Sequence, residues 1–183
     1  MTLSLQDKGE GAEEEMKTEH TIAAPRPTIE DLNRWMVVGF DQLYGLEFEA
    51  YSDREVSAHV RIAEQHKQPT GIVHGGLHAT IAESIATIAA VVSVAAEGNT
   101  AIGLSNNTSF IRPISQGHAH AVGRRRHGGR TTQVWDVEIS DDDGRVCALT
   151  RVTIAIRPHE ASRDQDGRCQ SGPVAGLPVV GAG

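Results

Sequence analysis

A long apolar segment that contains one carboxylate constrains the fold of this chain more than any other feature. Between residues 77 and 96 large apolar side chains recur every three or four positions, and most of the others are Ala, Ser or Thr. This spacing predicts an α-helix. The near absence of charge predicts that the helix is buried nearly all round. The rest of the chain must then supply the elements that cover it.

Glu83 lies inside this helix and has two interpretations. It can be a functional group, or it can be a core carboxylate that accepts hydrogen bonds from neighbouring hydroxyl groups. Both interpretations are open because carboxylates with shifted pKa values occur in structural networks as well as in active sites. At about 100° per residue, Thr80, Glu83 and Thr87 share one helix face. They form a narrow polar stripe on an apolar cylinder, which favours a lined site.

A membrane span is the other interpretation of the apolar segment, which approaches the length of about 20 residues that a bilayer requires. Glu83 is central in it, Ala and Ser dominate over Leu, and no basic cluster flanks it. These features argue against insertion. We therefore expect no membrane partner.

The turn that leads into the helix has the sequence GIVHGG at residues 71–76. The N–H groups in the first turn of a helix have no intrahelical partner, and glycine lets an anion or a polarised carbonyl approach them closely. His74 can act as a general base or brace the turn through hydrogen bonds of its ring.

The remaining patterns predict one short helix and six strands. Thr28 is placed to cap an amphipathic helix that starts at residue 29. A hairpin is predicted at residues 44–62, with its turn at residues 52–53. Four further strands are predicted at residues 101–111, 118–126, 131–140 and 145–157. This order indicates an α+β fold in which an antiparallel β-sheet wraps around one long central α-helix.

Such a sheet leaves its outer face and edges uncovered, which favours a homo-oligomer, either a dimer or a dimer of dimers. We place the domain at residues 28–158. Residues 1–27 are acidic and poor in large apolar groups, and residues 159–183 become polar and then rich in Gly and Pro. We expect a disordered leader and a flexible tail with no catalytic part.

Composition restricts the partners and the compartment. The formal net charge of −7 argues against nucleic acid, which binds concentrated Lys and Arg. The basic run at residues 124–127 can meet the phosphates of a nucleotide-bearing substrate or form a solvated hairpin end. The spacing of Cys147 and Cys169 supports neither a disulfide framework nor a metal cluster. We assign no metal ligand and expect a reducing cytoplasm.

Several motifs taken together resemble the hotdog-fold acyl-CoA thioesterases. They are GIVHGG at residues 71–76, AES at 82–84, SNNTSFIRP at 105–113 and DDDGRVCA at 141–148. The similarity covers about residues 28–158. It is strongest to the branch typified by the Arthrobacter-type 4-hydroxybenzoyl-CoA thioesterase, with the thioesterases of the phenylacetate pathway a step further away.

This resemblance implies a hotdog fold and hydrolysis of an aromatic acyl-CoA, namely 4-hydroxybenzoyl-CoA or a related benzoyl or phenylacetyl thioester. Coenzyme A is part of the substrate, and no separate cofactor is implied. Glu83 becomes the nucleophile or general base, and the Gly75 backbone N–H polarises the carbonyl. Gln68 becomes a polar group near the thioester, and Thr87 orients the water or the carboxylate. The positions implied near the substrate or its coenzyme are His74, Gly76, His78, Arg112, Arg130, Thr131 and Arg157.

Two positions depart from the family pattern. Relatives carry small hydroxyl residues where this chain has Arg130, and more basic residues after the last strand, where this chain has His159 and Glu160. The departures bear on the coenzyme contacts rather than on Glu83.

The distance between Glu83 and Gly75 predicts a site built from two chains. Eight residues of helix separate them by about 12 Å along the axis, too far for one helix to supply both groups to one thioester. Two antiparallel helices related by a twofold axis would bring Gly75 of one chain to Glu83 of the other.

Two alternative functions remain: a hotdog protein that binds acyl-CoA without hydrolysing it, and a thioesterase for medium-chain aliphatic acyl-CoA. An enoyl-CoA hydratase would require an Asp and His motif after the central turn, which the sequence lacks.

Overall fold

The computed structural model describes residues 26–159. Most of the predicted leader and tail therefore lies outside the described residues. Arg26 lies within them and forms a two-bond ion pair with Asp53. The helices and strands are α1 (Ile29–Trp35), β1 (Leu46–Tyr51), β2 (Glu55–Arg61), α2 (Gly75–Val94), β3 (Asn99–Phe110), β4 (His118–Gly128), β5 (Thr132–Ser140) and β6 (Val146–Pro158).

Helix α1 begins as predicted, with Thr28 as its cap. The Thr28 hydroxyl accepts the N–H of Asp31, and the Asp31 carboxylate accepts the N–H of Thr28. This reciprocal capping satisfies two backbone donors that the first turn cannot use. The helix then buries Leu32 completely in the core.

The six strands form one antiparallel sheet in the order β1-β2-β4-β5-β6-β3. The predicted β1–β2 hairpin is confirmed, with Leu46 paired to Val60. The four later strands are also confirmed, with ends within two residues of the predicted ones. The hotdog architecture, an antiparallel sheet around one long helix, is thus established, and β3 lies at a sheet edge.

Helix α2 packs against the inner face of the sheet through Ile81, Ile85 and Ala86, which are fully buried. Gly123 of β4 faces the same layer, where a Cβ would meet Val56 Cγ1 tightly at 3.0 Å and Ile85 Cδ1 in ordinary contact at 3.5 Å. Towards the β3 edge of the sheet this cover is incomplete, and Glu83, Thr87 and Ile88 are only half-buried. The prediction of burial nearly all round is therefore wrong for this side of the helix, since the single sheet covers it only in part.

A hydrogen-bonded chain ties the sheet to α2. Trp135 Nε1 donates to Gln133 Oε1 at 3.0 Å, and Gln133 Nε2 donates to Ser93 Oγ at 3.0 Å. Trp135 and Gln133 are both buried. Their polar groups are satisfied inside the core, where an unpaired group would be costly.

By length and composition alone, one helical segment of the described residues could cross a membrane. It is Gly75–Glu97, with a mean hydropathy of 1.8 in its most apolar part. In the structure its apolar face packs on the sheet, as the core helix of a folded domain does.

The edge strand β3 leaves apolar groups uncovered. The exposed fractions of Ile102, Leu104 and Phe110 are 55%, 59% and 61%. The strand pairs with β6 on one side, and its other edge meets no strand within the described residues. A long exposed edge of this kind is a template for pairing with another chain.

Candidate active site

Glu83 lies between its own helix and the edge strand. Thr87 Oγ1 donates to Glu83 Oε1 at 3.0 Å, a contact that their shared helix face allows. On the other side the carboxylate rests on Gly103 of β3, where a Cβ would approach Oε1 to 2.7 Å. Any larger residue at position 103 would displace the carboxylate.

Gly103 is not among the predicted site residues, although the sequence carries a signal for it. Glycine inside a strand pattern often marks a bulge or a close approach by another group. Gly103 has both features, because the β3–β6 register shifts between Gly103 and Ser105.

An open pocket of about 670 Å³ lies in front of Glu83. Asn106 closes one side and donates to the Ala79 carbonyl at 2.8 Å, which holds β3 against α2. The aromatic rings of Phe40 and Phe110 contribute apolar walls. The complete lining is Phe40, Asp41, Ala79, Thr80, Glu83, Ser84, Asn106, Thr108 and Phe110.

A polar cluster lies beside Glu83 at the base of this pocket. Ser84 Oγ donates to Asp41 Oδ1 at 2.7 Å, and the Tyr44 hydroxyl lies 2.8 Å from Ser84 Oγ and donates to Asp41. Burial, together with the hydrogen bond to Asp41, raises the pKa of Tyr44 well above its usual range. Tyr44 therefore stays protonated. No local pattern indicates this cluster, because Asp41 and Ser84 are 43 positions apart.

The second group of predicted residues surrounds the start of α2. His74 Nδ1 accepts the N–H of Gly76 at 2.9 Å, and the His74 N–H donates to the His66 carbonyl at 2.9 Å. The His74 ring therefore braces the turn through this hydrogen bond, which is one of the two roles that the sequence allows. Gly75 is the first residue of α2, so its N–H has no partner within the helix.

Phe110 covers this helix start, with a ring atom 2.9 Å from where a Gly75 Cβ would lie. Gln68, His78 and Arg112 line the same pocket, which has a volume of about 500 Å³. Gln68 Nε2 donates to Thr70 Oγ1 at 2.9 Å, and the Arg112 guanidinium donates to the Val146 carbonyl at 3.0 Å. Gly75, Gly76, His74, Gln68, His78 and Arg112 are therefore brought together.

His78 is buried beside Phe110, with ring centroids 6.3 Å apart. Its Nδ1 has no hydrogen-bond partner among the described residues. Burial lowers the pKa of His78, and burial likewise lowers the pKa of His66. Both rings are therefore held in the neutral form.

The remaining predicted positions lie at the other end of the sheet. The Thr131 carbonyl accepts the N–H of Ile156, and Arg130 is exposed in the same β4–β5 turn. Arg157 is paired with Thr100, just after the end of α2. Within one chain, Arg130, Thr131 and Arg157 are therefore not brought to the Gly75 pocket.

Comparison with known proteins agrees with this geometry. Residues 70–148 match the model of the Thioesterase superfamily. A putative esterase of Pseudomonas aeruginosa is 35% identical over 132 residues, which cover 72% of this chain and 91% of that protein. The 1,4-dihydroxy-2-naphthoyl-CoA hydrolase of Escherichia coli K12 is 34% identical, over 70% of this chain and 94% of that one.

Solved structures show the same fold. The crystal structure of a mutant thioesterase from Pseudomonas aeruginosa superposes with a TM-score of 0.71 at 32% identity, over 76% of this chain and all of that one. A putative esterase from Mycobacterium tuberculosis gives a TM-score of 0.64 at 36% identity, over 67% of this chain and 98% of that one.

Fold, sequence and a half-buried carboxylate facing an open pocket define a hotdog thioester hydrolase. The chain belongs to the Thioesterase superfamily and is an acyl-CoA thioesterase.

The two buried histidines make stability depend on pH. In the folded chain their pKa values lie below the ordinary value of 6.5. At a pH between the folded and the unfolded pKa values, the unfolded chain therefore binds more protons than the folded chain. Stability should therefore fall as the pH drops below about 6.5.

We expect the melting temperature to fall from pH 7.5 to pH 5, and His78→Gln to remove part of that slope. His127→Gln, at an exposed position, is the control. An equal slope in His78→Gln and the wild type would contradict the assignment.

Proposed function

We propose that the enzyme hydrolyses the thioester of an aromatic acyl-CoA at a site shared by two subunits. The observation that carries the proposal is the division of the candidate groups between two pockets that share Phe110 as a wall. One pocket holds Glu83, and the other holds Gly75, whose N–H has no partner within the helix. Neither pocket is lined by both a carboxylate and Gly75.

Pairing of the β3 edge with a second copy would complete the site. Two antiparallel β3 strands related by a twofold axis would lay the Phe110 end of one chain towards the Asn99 end of the other. The Gly75 pocket would then approach Glu83 of the partner subunit. The same operation brings the end that carries Arg130, Thr131 and Arg157 towards that pocket, where guanidinium groups suit coenzyme phosphates. Covering Ile102 and Leu104 would favour such a dimer.

The chemistry follows from the two groups. The Gly75 N–H, at the positive end of α2, would donate to the thioester oxygen as negative charge develops on it. Glu83 would either attack the carbonyl carbon, releasing CoA and forming an anhydride that water then cleaves, or take a proton from the attacking water. Thr87 holds Oε1 through its hydrogen bond, which would direct the other oxygen towards the substrate.

Two observations support an aromatic acyl group. The pocket in front of Glu83 has Phe40 and Phe110 as apolar walls and Asp41 and Ser84 as polar groups, a combination suited to a flat ring with a hydroxyl substituent. The Escherichia coli relative is named for an aromatic acyl-CoA. We place the substrate among the hydroxylated benzoyl, naphthoyl and phenylacetyl thioesters of coenzyme A. The proposed reaction takes place in the cytoplasm and uses no separate cofactor.

The first test is Glu83→Gln, which is nearly isosteric but can act neither as nucleophile nor as base. We expect kcat to fall by about 10²-fold or more, while assembly and binding of a non-hydrolysable acyl-CoA analogue persist. Release of free thiol, followed with a thiol reagent, measures kcat. Glu97→Gln, an exposed carboxylate just after α2, is the control. Near wild-type kcat in Glu83→Gln would remove the central assignment.

The second test separates the Gly75 N–H from the space around it. Proline is tolerated at the first position of a helix, and His74 has the extended backbone that precedes proline readily. Gly75→Pro should therefore remove the donor but keep the helix, at a cost of about 10²-fold in kcat. Gly75→Ala adds the same Cβ beside Phe110 but retains the N–H, so it should lose much less.

Co-expression of Gly75→Pro with Glu83→Gln then tests the shared site. A mixed dimer would have one site with both wild-type groups and one with neither, so a statistical mixture should recover about a quarter of wild-type activity. A mixture no more active than its parents would show that each chain carries a complete site.

A panel of thioesters tests the acyl group. We expect kcat/KM for 4-hydroxybenzoyl-CoA, phenylacetyl-CoA or 1,4-dihydroxy-2-naphthoyl-CoA to exceed that for hexanoyl-CoA by about tenfold or more. Preference for hexanoyl-CoA would instead establish the medium-chain alternative.

A further inference from the structure

A cluster of histidines and carboxylates lies on the outer face of the sheet. His118 and His120 alternate along β4 with Ala119 and Ala121, which are buried in the core. Both histidines therefore project away from α2. His59 of β2 is paired with His120 in the sheet register, and Asp142 reaches the cluster from the β5–β6 turn.

The three groups His118, His120 and Asp142 converge on one point. Asp142 Oδ1 lies 2.8 Å from His120 Nε2 and 3.2 Å from His118 Nδ1. One donor atom from each of the three side chains lies within 4.8 Å of the other two. Small side-chain adjustments could bring all three to a common ion, since nitrogen and oxygen ligands lie about 2.0–2.2 Å from zinc.

The backbone holds the carboxylate in this position. Asp142 Oδ2 accepts the N–H of His118 at 3.2 Å. Gly117 has a φ of +76° and no side chain, and a Cβ there would collide with Asp142 Oδ2. Asp142 is thus oriented by groups that a metal would not replace, which resembles the outer hydrogen bonds of metal ligands.

The surroundings supply a fourth group and negative charge. The His59 ring lies 5.5 Å from that of His118 and 6.2 Å from that of His120. His59 Nδ1 is 2.9 Å from Glu49 Oε1, and its Nε2 is 3.7 Å from Glu47 Oε2. Arg61, paired with His118 in the register, is exposed, so its side chain can extend into solvent.

We infer that His118, His120 and Asp142 form a binding site for a divalent transition-metal ion of the zinc class, with water or His59 as the fourth ligand. Two imidazoles and one carboxylate match the ligands that zinc prefers. The ion would join β4 to the β5–β6 turn. It lies on the face of the sheet opposite Glu83, so it stabilises the fold and takes no part in thioester hydrolysis.

The test is titration of the full chain with zinc chloride after treatment with EDTA. We expect one zinc ion per chain and a rise in melting temperature, both reversed by EDTA. The variant His118→Gln/His120→Gln should weaken binding by at least about tenfold and remove the rise. Asp142→Asn provides a second variant if the histidine changes impair folding. His127→Gln, an exposed histidine on the same strand, is the matched control.

Zinc binding by the double variant or Asp142→Asn as tight as that of the wild type would overturn the inference, as would equal weakening in His127→Gln. X-ray absorption of the zinc-loaded protein should show at least two imidazole nitrogens, or three if His59 is the fourth ligand, and a spectrum with fewer than two would also overturn it. The thioesterase rate should be the same with zinc and with EDTA. Zinc-dependent turnover would contradict the separation from Glu83.

Discussion

The structure depends on one constraint: a single sheet covers only one side of the central helix. The inner face of the sheet encloses Ile81, Ile85 and Ala86, and no second layer covers the opposite side within the described residues. A polar stripe towards the β3 edge of the sheet, where this cover is incomplete, can therefore contain a carboxylate without the cost of full burial. Glu83 remains half-buried, held by Thr87 and bounded by Gly103.

The same constraint gives the edge strand its place in the proposed site. β3 lies at the end of the sheet, contacts Glu83 through Gly103 and contacts the start of α2 through Phe110. Phe110 lies where the two pockets meet, and the outer edge of β3 pairs with no strand of the described residues. Pairing with a second chain would cover that edge and complete the proposed site in one step, which is the physical reason for proposing a dimer.

The outer face of the sheet is chemically distinct. The sheet separates the histidine cluster from α2, since alternation along β4 sends His118 and His120 outward and Ala119 and Ala121 inward. A metal there would act on stability, and the carboxylate on the helix side would act on the substrate. The two sites can therefore be altered independently, because they share no side chain.

The sequence by itself determined the helix, the strands and Glu83, because periodicity, caps and turns are local properties of the chain. The Thr28 cap, the β1–β2 hairpin and the Glu83–Thr87 hydrogen bond each join residues close in sequence. Only the tertiary structure decided what surrounds them. Gly103 against Glu83, Asp41 with Tyr44 beside Ser84, and Asp142 between His118 and His120 all join residues that are distant in the chain. Such contacts depend on strand order and on which faces meet, so no local pattern carries them. The extent to which α2 is buried also depends on the tertiary structure. Periodicity shows that a helix is apolar, but it does not show how many of its sides pack against other elements.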